Sequence, residues 1–176
     1  MTFNAKGYLD PGLHSMTIDD MEKSFVTPFP HSSTRKNILD GYKRHTDDLL
    51  QLINEYVQLL DGSFVSNKND PGDIDLICFI DGDTLDSLPP ADQMKVKALL
   101  NGKVTKATHL CDAYFCPSYP ENHPNYQYYR PQRKYWMGEF GFDRSDVPKG
   151  IVVLERKINV TAAPAAAPVT GPGAAP

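Results

Sequence analysis

Residues 73–80, Asp-Ile-Asp-Leu-Ile-Cys-Phe-Ile, run from two carboxylates into an unbroken apolar segment. Turn-forming sequence precedes it (Asn-Asp-Pro-Gly) and a polar stretch follows (Asp-Gly-Asp). A short apolar run bounded in this way predicts a strand buried on both faces. Residues i and i+2 of a strand share a face. Asp73 and Asp75 therefore point the same way, and Ile74 and Leu76 point oppositely, into a core. Like charges side by side repel, and burial adds a desolvation cost. The turn alone accounts for acids at Asp70 and Asp73, but not for Asp75 inside the apolar run. A divalent cation would offset the repulsion, and two converging carboxylates are hard oxygen donors suited to Mg²⁺ or Mn²⁺.

Around this segment the chain alternates helical and strand patterns. Residues 1–31 read as an N-terminal arm with a short helix capped by Thr17, its Phe and Leu side chains packing on the main body. Ser32 or Ser33 opens a long helix whose Ile38, Tyr42, His45, Leu49 and Ile53 recur at helical spacing. Strands are expected at 56–60, 73–80, 108–116 and 150–158. Residues 81–90 read as a polar loop. A helix from Pro90 is expected to stop at Asn101-Gly102. The aromatic stretch 117–149 is partly helical at most, because Pro131 interrupts a long helix. Residues 32–160 thus form one α/β domain, and the Ala/Pro/Gly-rich residues 161–176 read as a disordered tail.

Composition narrows the function classes. Apolar residues make up 40% and charged residues 23% of the 176, with a formal net charge of −4. No general nucleic-acid-binding field follows from that balance. The segment Tyr-Gln-Tyr-Tyr-Arg-Pro-Gln-Arg-Lys-Tyr-Trp (126–136) can be read as a stacking and phosphate-binding surface. The preferred reading has Tyr126, Tyr129, Tyr135 and Trp136 covering the sheet, with Arg130, Arg133 and Lys134 solvated. Cys78, Cys111 and Cys116 lie in or beside apolar runs, which suits buried thiols in a cytoplasmic protein. A zinc site from Cys111, Cys116 and His123 fits no standard spacing. No segment is long and apolar enough to cross a membrane.

Two further features converge on the aspartates. Gly62-Ser63 ends the first predicted strand, where a glycine allows close backbone approach and a serine offers an N–H and a hydroxyl. Asp112 is the sole acid of Thr108–Cys116 and is the candidate third carboxylate; the alternative is a solvent-facing acid on an edge strand. Gly-Ser, nine residues, then Asp-x-Asp flanked by apolar residues resembles the nucleotidyltransferase superfamily typified by DNA polymerase beta. Asp61 departs from that pattern, which often has an apolar residue before the glycine. Residues 62–76, "CDAYFCPSYPENHP" (111–124) and "YWMGEFGFDRSDVPKGIVVLE" (135–155) also resemble a family of small bacterial and phage nucleotidyltransferase-like proteins.

The resemblance implies a small mixed sheet with helices packed mainly on one face. It implies metal ions (Mg²⁺ or Mn²⁺) held by Asp73, Asp75 and Asp112, with Gly62 and Ser63 at the phosphates of an NTP. A nucleoside monophosphate would pass to a hydroxyl acceptor on protein, RNA or a small molecule. A defence or toxin–antitoxin setting, with a protein partner encoded nearby, is implied as context. The alternative is a catalytically silent nucleotide-binding or protein-interaction module of the same fold. Arg144 and Lys149 either approach the triphosphate or brace the last strand.

Overall fold

The computed structural model describes residues 2–158, and the tail expected at 161–176 lies outside the described residues. Five strands form one mixed sheet: β1 (Gly12–Ser15), β2 (Glu55–Asp61), β3 (Ile74–Asp81), β4 (Cys111–Ser118) and β5 (Gly150–Lys157). Their spatial order is β1-β5-β2-β3-β4. The central β2 runs antiparallel to β3 and β5, while β4 is parallel to β3 and β1 is parallel to β5. The helices are α1 (Ile18–Phe25), α2 (Arg35–Leu50), α3 (Gly82–Ser87), α4 (Pro90–Leu99), α5 (Gly102–His109) and α6 (Tyr126–Gly141). No helix among the described residues is long and apolar enough to cross a membrane.

Strand alternation divides the core in two. Ile74, Leu76, Cys78 and Ile80 of β3 face a large cluster with Tyr56, Leu60, Val152 and Leu154, covered by α1 to α5. Ile38, Leu39, Tyr42 and Leu49 of α2 fill its centre. On the opposite face, Leu59, Ile77, Phe79, Cys116 and Ile151 meet α6 through Phe140, with Tyr129, Trp136 and Met137 packed alongside. Most helices therefore lie on one face, and α6 alone covers part of the other.

Several elements depart from the sequence expectations. The arm contributes β1, which the pattern does not signal, while its Leu9 and Phe25 are buried as expected. Thr17 caps α1 in a reciprocal box with Asp20. Residues 82–87 are helix rather than loop, because the Asp81 carboxylate accepts from the Thr84 amide at 2.8 Å and opens a helical turn. Gly102 begins a helix instead of ending one. The Asn101 carbonyl accepts from the amides of Val104 and Thr105, which starts α5 directly after α4. Thr108 and His109 then belong to α5, and β4 begins at Cys111. The hydroxyls of Thr105 and Thr108 donate to the carbonyls four residues earlier, so these β-branched residues satisfy their polar groups within the helix. Pro131 sits inside α6 without ending it. It removes one backbone donor, and the contacts of Tyr129, Trp136 and Phe140 hold the segment on the sheet. Tyr135 does not join them; it is 58% exposed.

Arg35, at the start of α2, is fully buried. Its guanidinium donates to four backbone carbonyls: Phe25 and Phe64 at 2.8 Å, Ser66 and Lys68 at 2.6 Å. It also lies 3.8 Å over the Phe29 ring. Burial pulls its pKa down to about 10, so it stays charged at neutral pH. One side chain thereby ties the end of α1, the start of α2 and the loop after β2. Arg35→Met keeps most of the volume but leaves those carbonyls without their donor. It is expected to lower the unfolding free energy by about 3 kcal/mol or more. Urea denaturation measures this, and a loss below about 1 kcal/mol would show that the loop holds without the guanidinium.

Candidate functional site

The sheet register places three acids in a row. Asp61 of β2 pairs with Asp75 of β3, and Asp75 pairs with Asp112 of β4. Residues opposite one another on neighbouring strands share a face, so these carboxylates cross three strands side by side. Asp73, two residues before Asp75, lies on the same face. The face is the one α6 covers only in part, and its uncovered end is an open basin of about 960 Å³. Asp73, Asp75, Asp112, Gly62 and Ser63 all line this basin.

Two glycines make room for the carboxylates. Gly62 has φ +83°, a region that side-chain-bearing residues avoid, and a Cβ there would overlap Asp75 Oδ2. The Gly-Ser dipeptide is thus tied to the Asp-x-Asp motif by contact. A Cβ on Gly102 would likewise overlap Asp112 Oδ1. The residue that read as a helix stop is the place where α5 yields to the third acid. Ser63 does not cap a helix; it follows Gly62 as the first residue of a short 3-10 turn, Ser63–Val65, and lines the basin.

Two lysines, Lys149 and the unanticipated Lys106, manage its charge. Lys149 Nζ meets Asp61 Oδ2 at 2.5 Å, and both side chains are largely buried. Burial pushes the Asp61 carboxyl pKa up, and the Lys149 ammonium opposes that. Lys149 therefore braces Asp61, while Arg144 lines the same basin from an exposed position. The loop carrying both is ordered by Asp143. Its Oδ1 accepts from the amides of Ser145 (2.8 Å) and Val147 (3.0 Å), and its Oδ2 accepts from the Tyr8 hydroxyl (2.9 Å). From the other side, Lys106 of α5 places its ammonium against Asp73 Oδ2 and 3.9 Å from Asp112 Oδ2. Among the described residues Asp75 has no such ion-pair partner. Burial, then the charges of Asp73, Asp61 and Asp112, raise its pKa to about 6.

Asp61 and Lys106 were not legible as site residues, and Lys149 was legible as a candidate but not as the partner of Asp61. Asp61 could have been found by laying β2 against β3, since an acid ending one apolar strand faces an acid opening the next. Lys106 depends on the helix that Gly102 concealed. Other candidates separate: Cys111 packs in the large core cluster and Cys116 in the cluster on the other face, so they do not meet at one metal. His45 is buried with Nε2 at 2.7 Å from the Leu99 carbonyl, a packing role.

Among the described residues, no three His, Cys, Asp or Glu side chains stand close enough to hold a metal ion as they are. The chemistry of the acids, rather than their present spacing, is of the kind a divalent cation takes. Asp61, Asp73, Asp75 and Asp112 carry four formal negative charges against the two positive charges of Lys106 and Lys149. The balance of −2 and the hard oxygen donors suit Mg²⁺ or Mn²⁺ once the Lys106 ammonium withdraws from Asp73.

The chain belongs to the DUF6932 family, a family of unknown function, whose match spans residues 1–155. No curated protein and no solved structure matches it significantly.

The Asp75 pKa gives a pH signature. The native state holds this proton up to about pH 6, whereas the unfolded chain releases it in the ordinary carboxyl range. The stability contributed by this group is therefore complete below about pH 4 and is lost as pH rises through about 6. Without metal, Asp75→Asn is expected to match the parent near pH 4 and exceed it at pH 7 to 8. Urea melts across that range check this; parallel profiles would show that Asp75 titrates normally.

Proposed function

We propose that the protein transfers a nucleoside monophosphate from an NTP to a hydroxyl acceptor, with Mg²⁺ or Mn²⁺ held by Asp73, Asp75 and Asp112. The observation that supports this most is the carboxylate row on β2, β3 and β4 beside Gly62-Ser63, on the floor of one basin. Divalent ions in such a site supply charge neutralisation to the phosphates and a lowered pKa to the attacking hydroxyl.

The chain's own residues would do the rest. Gly62 leaves its backbone open on the side away from Asp75, and Ser63 offers an amide and a hydroxyl to phosphate oxygens. Lys6, Lys68 and Arg144 line the rim and draw a polyphosphate into the basin. Tyr135 and Trp136 form an aromatic wall beside Asp112 on which a base can stack. Lys149 holds Asp61 in an ion pair and leaves the other three carboxylates as ligands. Positioning and charge complementarity supply the rate in this reading. The acceptor sits on a protein, an RNA or a small molecule.

One observation favours a second reading, a catalytically silent nucleotide-binding or protein-interaction module. The Lys106 ammonium already neutralises Asp73 without a metal.

Each α-labelled NTP, incubated with the protein, Mg²⁺ or Mn²⁺ and a cell lysate, separates the two. Label in an acceptor, with pyrophosphate released, is expected for the parent and lost in Asp75→Asn and Asp112→Asn. Nucleotide binding with no pyrophosphate would favour the silent module. Ser63→Ala is expected to weaken NTP binding about 10- to 150-fold, the range for one hydrogen bond to a charged group. Unchanged affinity by calorimetry would remove Ser63 from the phosphate contact.

A further inference from the structure

Lys106 lies against two of the acids. Its ammonium contacts the Asp73 oxygen Oδ2 and lies 3.9 Å from Asp112 Oδ2. It sits one helical turn beyond Gly102, the residue whose missing side chain admits the Asp112 carboxylate. The lysine and the glycine that opens the gap for it thus come from the same short helix. We propose that Lys106 is a resident counter-cation that positions Asp73 and Asp112 in the metal-free protein, and that a divalent ion must displace it to bind. This inference rests on the metal-site reading of the same carboxylates.

The physical argument is one of exclusion. A Mg²⁺ or Mn²⁺ ion bonds carboxylate oxygen at roughly 2.0–2.2 Å. An ammonium in contact with the same oxygen would then lie within about 3–4 Å of a doubly charged ion, where the two repel strongly. The two cations cannot share Asp73 Oδ2. Withdrawal of the ammonium is inexpensive, because the Lys106 side chain is 56% exposed and its four-carbon stem can swing into solvent. The basin it lines gives the freed ammonium access to phosphate oxygens. Lys149 differs in being largely buried against Asp61, so it stays in place. The device keeps the acids together without metal and weakens the capture of free ions.

The test is Mn²⁺ alone, titrated into the full chain and followed by the electron-spin signal of unbound Mn²⁺. Lys106→Met keeps the stem and removes the charge, and Lys106→Gln does so with a polar end. Both are expected to bind Mn²⁺ about tenfold more tightly than the parent and to melt lower without metal. Lys106→Arg is expected to restore weak binding, which a purely structural role of the stem would not do. Equal or weaker Mn²⁺ binding in Lys106→Met and Lys106→Gln, with the parent's binding abolished by Asp75→Asn, would overturn the counter-cation role and leave the metal site standing. No Mn²⁺ binding to any of them would overturn both. Binding by the charge-free variants alone, with none to the parent, would support the counter-cation role in its strongest form.

Discussion

The buried guanidinium of Arg35 is the interaction on which the site depends. Among the described residues no carboxylate forms an ion pair with it, and Asp70 supports its charge only through space. Four backbone carbonyls share the charge, and three of them belong to the segment between Phe64 and Lys68. That segment follows Gly62 and Ser63 and leads toward Asp73. Phe64 and Val65 anchor the start of this segment in the core, while Ser66 to Lys68 offer mainly backbone polar groups that Arg35 satisfies. Here the loop is fixed to the first turn of α2, which is itself packed on the sheet. The left-handed Gly62 and the short turn after it are thereby held against Asp75.

The same economy of charge runs through the carboxylate face. Isolated, four acids on adjacent strands would repel one another strongly. The protein meets this from both sides of the row, with Lys149 on a loop ordered by Asp143 and Lys106 on a helix that begins at a glycine. Asp75, in the middle, is left with a raised pKa to about 6. It is the carboxylate with most to gain from a cation, and it is also the one Gly62 touches. Local rules of strand composition are broken here and nowhere else in β3, which is where a functional constraint is expected to show.

The parts legible in the sequence were those with strong local signals. β3 was marked by its apolar run, α2 by four buried residues at helical spacing (Ile38, Tyr42, His45 and Leu49), and α1 by its Thr17 cap. Asp73, Asp75, Asp112, Gly62 and Ser63 come together because β2, β3 and β4 are neighbours whose registers align the acids. What escaped notice rests on tertiary context. β1 is four residues long and owes its existence to β5 rather than to its own composition. α5 was concealed by Gly102, which signals a stop in isolation and serves a close approach in the fold. α6 survives Pro131 because the sheet holds it. The two lysines follow from these missed elements: Lys106 from α5, Lys149 from a loop whose shape depends on Tyr8 and Asp143.

The placement of β5 sets an order for making the molecule. Among the described residues it is the last strand, yet it lies between β1 and β2 and is the one strand with which β1 pairs. During synthesis the segment from β2 to β4 can pair as soon as it emerges, but the first strand must wait for residues 150–157. Until then the β2 edge is open, and Asp61 faces its neighbouring acids without Lys149. Long-range closure of this type is slow. A ribosome-bound chain stalled before β5 would thus carry an unpaired strand edge and an acid row with Lys106 but not Lys149 to offset it, a state suited to chaperone capture.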